Sequence, residues 1–352
     1  MSDANLNFVL FWISHVISVI QIIFGTFGNF FNIIIFTRRT LRSNPCSTYF
    51  LAASVSNLFE IYTVILFNYF GINWNWFPSN TNDAWCRISH FLIYSFVPLV
   101  LWFIVLVSFD RFLTSSLNAN TRKISTLSLA RKMTVSTMIL SFVMFGHLAF
   151  LVKSIKVDND SYCTVRSSTY TIFYNVMFVI VGNVLPVVLM AFFAILTVLN
   201  MGKVRSRVTP KVNNMPNQRL RSRDHQFMRM LLFQVLTTIL ISIPFCCVSM
   251  YNTFARILLE QQLSPSETEI INFTANFLGI LYYTNSVTGF YVYTLTGHKF
   301  RVEFKVCIKH GLSVISTVIC LPLKTQQFIS KHQRGNHVRP VQQRPAVITT
   351  TV

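Results

Sequence analysis

Residues 86–112, CRISHFLIYSFVPLVLWFIVLVSFDRF, decide the fold. The stretch opens on Cys86, runs through a long apolar core and closes on Asp110-Arg111-Phe112. A helix rises about 1.5 Å per residue, so Cys86 and Arg111 stand roughly 37 Å apart, about one bilayer. A cysteine then sits on one side of a membrane and an acid–arginine pair on the other.

Composition agrees. The 352 residues are 52% hydrophobic and 12% charged, with a mean hydropathy of +0.50. Ordinary soluble domains carry about 25% charge. Seven apolar stretches each meet the ~20-residue requirement for a spanning helix. They are Phe8–Phe36, Thr48–Ile72, Ile88–Thr114, Met133–Val152, Tyr170–Met201, Met228–Phe254 and Ile270–Leu295. Backbone groups must be satisfied within each segment in lipid, so an all-α seven-helix membrane bundle is expected.

The net charge of +19 raises nucleic acid as a partner, but its distribution gives another answer. With the N-terminus outside, only Arg87, Lys153, Lys156, Arg166 and Arg256 of the 30 basic residues face outward. The rest cluster in inner loops and the tail. This is the positive-inside pattern, and it predicts a plasma-membrane chain with N-terminus out, C-terminus cytoplasmic, and no nucleic-acid partner. The N-terminal end lacks the basic region of a cleavable signal, so the first segment is expected to insert directly. Only Cys86 and Cys163 face outward on this topology. They read as a disulfide pinning the second outer loop, with two unpaired thiols as the alternative.

The expected organisation is a short outer N-terminus (1–8), one membrane domain (9–296), an amphipathic surface helix (297–309) and a polar, disordered cytoplasmic tail (310–352). Lys203 to Arg223 reads as a polar linker, the longest inner loop. In the surface helix Phe300, Phe304, Cys307 and Ile308 share one face, so the helix lies on membrane lipid. Cys307 is either a lipidation site or a bland apolar-face cysteine. Leu312 to Leu323 is apolar but too short to span. The terminal Thr350-Thr351-Val352 fits capture of the carboxylate by a PDZ-type domain. Asn159-Asp160-Ser161 is a glycosylation sequon in a loop, with Asn159 the acceptor; the second sequon, at Asn272, is close to the membrane.

Several motifs, in order and spacing, resemble the rhodopsin-like (class A) family of G-protein-coupled receptors. They are Gly28-Asn29, the second-segment Leu51 to Leu58, Cys86 with Cys163, and Asp110-Arg111-Phe112. Pro186, Pro244, Asn285-Ser286 with Tyr293, and Phe300-Arg301 complete the set. The stretch Tyr282 to Phe290 looks most like invertebrate peptide receptors of the FMRFamide type. The departures are specific. Asn57 stands where Asp is usual, Ser242 where the sixth helix has a switch Trp, and Ala194 where the fifth has Tyr. The Asn-Pro-x-x-Tyr motif keeps only Tyr293.

The resemblance implies a neuropeptide-type receptor that takes an extracellular ligand and signals to a heterotrimeric G protein. Asp110 and Arg111 form an inner lock in that reading, with Asp224 on the sixth segment facing Arg111. A static ion pair at the membrane edge is the plainer alternative. Asn57, Pro244 and Tyr293 belong to the same switch by alignment. Glu60 is an intramembrane acid and thus a functional candidate, either for a basic or amidated peptide end or for internal pairing with a Tyr such as Tyr283. Alignment places Tyr94, Val97, His147, Phe245, Ser249, Asn252 and Tyr282 around the ligand, each with ordinary packing as its plainer reading.

No Lys occurs between Lys211 and Lys299, so the seventh segment has no residue for a retinal Schiff base. The eight His residues form no metal-spaced cluster, so no cofactor, metal or catalytic residue is expected. A transporter or channel is the second class of reading, but one intramembrane acid is too little for an ion path.

Overall fold

The computed structural model describes residues 3–74, 76–157, 160–165, 167–207, 215–254, 264–298 and 300–309. Among the described residues, six helical spans are long and apolar enough to cross a membrane: Phe8–Thr37, Pro45–Trp74, Asp83–Ser115, Leu127–Leu151 (with a turn at Gly146-His147), Thr169–Lys203 and Met228–Phe254. The seventh comes in two pieces, Pro265–Tyr282 and Asn285–Thr296. The expected seven-helix bundle is therefore the observed one.

The first helix shows why this is a membrane fold. Phe8, Trp12, Val16, Ile20 and Phe24 recur every four residues and are all exposed. Ser14, Ser18, Gln21, Asn29 and Asn32 lie on the buried side. A water-soluble helix would hide the first set and show the second. Gly25 and Gly28 also sit on the buried side. A Cβ on Gly28 would lie 2.9 Å from Phe290 Cβ, so this glycine is what lets the first and seventh helices touch.

Local chemistry sets the helix ends. Asn44 caps the second helix by accepting from Cys46 N–H at 3.0 Å, with Pro45 in the first turn. Asn82 caps the third by accepting from Trp85 N–H at 3.0 Å. Ser264 and Glu267 form a reciprocal capping box at the start of the seventh. Among the described residues, complete π turns lie at Ile61–Ile65, directly after Glu60, and at Ile180–Val184, around Asn183, and the sixth helix passes into π geometry at 252–254. Each inserts an extra residue per turn and re-aims the side chains beside it. The seventh helix breaks at Tyr283–Thr284 without a proline. There the Ser286 N–H and Oγ–H both donate to the Tyr283 carbonyl, at 3.2 and 2.7 Å, closing a tighter turn in place of the helical bond.

Beyond the fourth helix, strands Lys153–Val157 and Asp160–Thr164 form an antiparallel hairpin with Ser154 opposite Cys163. The Cys86–Cys163 disulfide, with a Cα–Cα distance of 5.6 Å, ties this hairpin to the third helix.

Two expectations shift. The first helix starts at Asp3, so residues 3–8 continue it rather than forming a tail. The linker from Lys203 to Arg223 is shorter than its polarity implied: helix runs to Arg207 and resumes at Met215. Pro216 did not prevent this, because a proline in the first turn removes no helical hydrogen bond. Residues 300–309 are helical, as the amphipathic pattern predicts, with Cys307 half-buried. Asn159 and the tail from 310 onward lie outside the described residues.

Candidate functional site

At one end of the bundle, Asp110 and Arg111 are 3% and 2% exposed. Their pairing is direct, with Arg111 Nη2 2.6 Å from Asp110 Oδ2. Two further donors reach the same carboxylate. Cys46 Sγ–H donates to Oδ2 at 3.2 Å, and Ser125 Oγ–H donates to Oδ1 at 2.5 Å. Asn44, already the cap of the second helix, has its Oδ1 3.5 Å from Arg111 Nη2. The carboxylate therefore joins three segments: its own helix, the start of the second, and the connector before the fourth. Charge-assisted bonds of this kind are the strong ones. Phe112, where Tyr is usual, packs on Phe193 of the fifth helix at 5.8 Å between ring centres. The Asp224 side chain lies outside the described residues.

Midway along the bundle, Asn57 Nδ2 donates to Asn29 Oδ1 at 3.0 Å. Asn29 Nδ2 donates in turn to the carbonyls of Gly25 and Ser286, at 2.9 and 2.8 Å. One chain of amides thus links the first, second and seventh helices. Beside it, Asn285 Nδ2 donates to Ser242 Oγ at 3.2 Å, joining the seventh helix to the sixth. Pro244 lies two residues beyond, inside the sixth helix. Tyr293 is buried among Phe50, Phe36 and Phe300, at 4.8, 5.9 and 5.9 Å. It is thus part of an aromatic cluster with the first and second helices.

Toward the disulfide end, Val97, Tyr282 and Val64 form a buried cluster with Phe245 and Tyr283 against it. Tyr282 stacks on Phe245 at 4.4 Å. Its hydroxyl donates to Asn183 Oδ1 at 2.6 Å, and Asn183 Nδ2 donates to the Phe178 carbonyl at 3.1 Å. Tyr94 packs on Phe178 at 4.9 Å and on Tyr174 at 5.4 Å, in the neighbouring cluster that contains Cys86. Glu60 is buried at 3% exposure, and its carboxyl interacts electrostatically with Tyr282 and Tyr283. Among the described residues it has no hydrogen bond or ion pair.

The remaining alignment-based residues are less central. His147 sits at the fourth–fifth helix junction, 5.5 Å from Tyr170 and 6.2 Å from Phe173. Ser249 and Asn252 lie farther along the sixth helix, and Ser249's carbonyl accepts from Thr253 Oγ1 at 2.9 Å. The structure thus brings Val97, Phe245, Tyr282 and Glu60 together, with Tyr94 beside them. Sequence reasoning did not single out Asn183, Ser125, Cys46 or Asn44. Asn44-Pro45 carries a cap signal; the other three have none outside their tertiary partners.

A profile described as 7 transmembrane receptor (rhodopsin family) matches residues 28–293, from Gly28 in the first helix to Tyr293 in the seventh. The chain belongs to this family. No curated protein matches it. As a rhodopsin-family receptor it is a multi-pass protein of the plasma membrane, with an extracellular ligand and a G-protein partner. Ser242 and Asn57, two of the positions at which the sequence departs from the family motifs, thus each hold a hydrogen bond between helices.

Proposed function

We propose that this receptor is activated by a peptide and carries the signal through a lock at Asp110, Arg111 and Asp224. The observation that carries the proposal is the convergence on Asp110. A buried carboxylate that holds three segments by hydrogen bonds would give, once those bonds break, a second and released arrangement, as a signalling element requires. Asp224, on the sixth helix, would be the second clamp on Arg111, and Pro244 the hinge about which that helix moves. The orientation follows from the basic residues, with the disulfide-tied hairpin outside and the Asp110 end facing the cytoplasm.

On that orientation, Glu60 and the Val97–Phe245–Tyr282 cluster lie on the ligand side. An acid buried without a cation favours a basic or amidated peptide end. The Tyr282 to Phe290 stretch favours a ligand of the FMRFamide type. Tyr94 extends the cluster toward the disulfide, while His147, Ser249 and Asn252 would meet the ligand only at its rim. Cys307 is a lipidation site, Asn159 a glycosylation site and the terminal Thr-Thr-Val a PDZ-type ligand in the same reading. The test is a panel of short C-terminally amidated peptides, screened for guanine-nucleotide exchange in cells expressing the receptor. A hit whose potency falls when the amide is replaced by a free acid supports the proposal. Exchange driven only by non-peptide ligands contradicts it.

A further inference from the structure

A cavity lies beside these residues and shares Tyr283 with them. It occupies about 540 Å³ between the first, second and seventh helices. None of Glu60, Tyr94, Val97, His147, Phe245, Ser249, Asn252 or Tyr282 lines it. Its volume falls within the roughly 300–1,000 Å³ of small-molecule sites. On the first helix its lining runs from Leu10 to Gln21, about 16 Å along the axis. The space is therefore elongated along the bundle, and a single helix with an apolar outer stripe separates it from lipid.

Two glycines shape it. A Cβ on Gly71 would collide with the Phe77 ring, so bare backbone there lets Phe77 close part of the cavity wall. A Cβ on Gly279 would meet nothing within 4 Å. Gly279 thus borders open space, and a larger residue would project into it without a first-atom clash.

The chemistry of the wall is neutral and mixed. Ser14, Ser18, Gln21, Asn68, Asn276 and Tyr283 supply hydroxyls and amides; no Asp, Glu, Lys, Arg or His is among the lining residues. Gln21 Nε2 is already used, donating to the Ile280 carbonyl at 2.8 Å and Thr284 Oγ1 at 3.0 Å. Ser14 is different. It is 1% exposed, and its hydroxyl has no hydrogen-bond partner among the described residues. A helical serine ordinarily bonds back to its own backbone. A buried hydroxyl without a partner costs about 1–3 kcal/mol, which a ligand hydroxyl or amide would recover. A charged ligand group would find no counter-ion among the lining residues.

We propose that this cavity binds an uncharged amphiphile, an acyl chain bearing a hydroxyl or amide headgroup, with the headgroup on Ser14 and Asn276. The ligand class follows from the elongated shape, the neutral polar wall and the adjoining lipid. This site is independent of the peptide reading, because its test is binding and not signalling.

The experiment uses the full-length receptor in lipid nanodiscs and a diazirine-bearing 1-acylglycerol as probe. Photolabel is expected on residues of the first, second and seventh helices that line the cavity. Gly279→Leu is expected to cut labelling about ten-fold by filling the space, and Ser14→Ala about three-fold by removing a donor. The same acyl chain as a free carboxylate is expected to label about ten-fold less. Thermal unfolding checks that the variants are folded. If Gly279→Leu lowers folding, Ala275→Leu replaces it, and its added bulk on the same wall is expected to suppress the probe. Equal labelling of wild type and folded variants, or equal labelling by the carboxylate, overturns the proposal.

Discussion

Ser125 Oγ–H donates to Asp110 Oδ1 at 2.5 Å, fastening the connector before the fourth helix to the buried end of the third. The bond is local to a polar, surface-lying segment, yet its acceptor is almost wholly buried. A hydrogen bond to a charged group contributes about 1.5–3 kcal/mol. Its loss should weaken the closed arrangement of the lock by a comparable amount.

Ser125→Ala is therefore expected to raise basal guanine-nucleotide exchange several-fold at equal surface expression, with Ser125→Thr restoring the resting level. Cys46→Ser supplies the contrast. It keeps a donor near Asp110 Oδ2 and should change basal exchange less than Cys46→Ala. A nucleotide-binding assay on membranes reads all four variants.

The Tyr282–Asn183 bond makes a stability prediction. Tyr282→Phe leaves a buried amide oxygen unpaired, at a cost of about 1–3 kcal/mol. Thermal unfolding in detergent should fall for Tyr282→Phe and for Asn183→Leu. The double variant should be less unstable than the sum of the two, because the partners are in contact.

The glycines on the first helix separate two kinds of close approach. A Cβ at Gly28 would meet Phe290 Cβ at 2.9 Å, near the root of a side chain that cannot swing away. A Cβ at Gly25 would meet Ile61 Cδ1 at 2.7 Å, the far end of a flexible side chain. Gly28→Ala is expected to cost about 1–3 kcal/mol by overpacking. Gly25→Ala is expected to cost less, despite the shorter distance. Melting curves of the two variants decide the order.

Much of the fold was legible because lipid imposes one rule: backbone bonds close within each helix. Seven apolar stretches therefore became seven helices, and Cys86 with Cys163 formed the disulfide that their shared side implied. The first helix carries its own orientation, since its polar stripe from Ser14 to Asn32 must face the bundle. The π turns after Glu60 and around Asn183 were less legible. The first has no proline or glycine to mark it; the second contains Gly182 and stops just before Leu185-Pro186, and Pro186 has no N–H to give the Gly182 carbonyl. The break at Tyr283–Thr284 is as silent as the first, because a serine hydroxyl there does what a proline usually signals. The partners of Asp110 were hidden for another reason. Cys46 and Ser125 lie 64 and 15 residues from it, and only the packed bundle brings them to one carboxylate.

Glu60 tests the ligand end. Glu60→Gln keeps the shape and removes the negative charge. If the carboxylate meets a basic or amidated peptide end, agonist potency should fall by about ten-fold or more while surface expression holds. Unchanged potency would assign Glu60 to internal packing with Tyr282 and Tyr283.

The lock itself is tested most directly by Asp224→Ala, measured as basal guanine-nucleotide exchange in cells with matched surface expression. Basal exchange above wild type is the predicted result, because Arg111 would lose its clamp on the sixth helix. Basal exchange equal to wild type at matched expression would contradict the account.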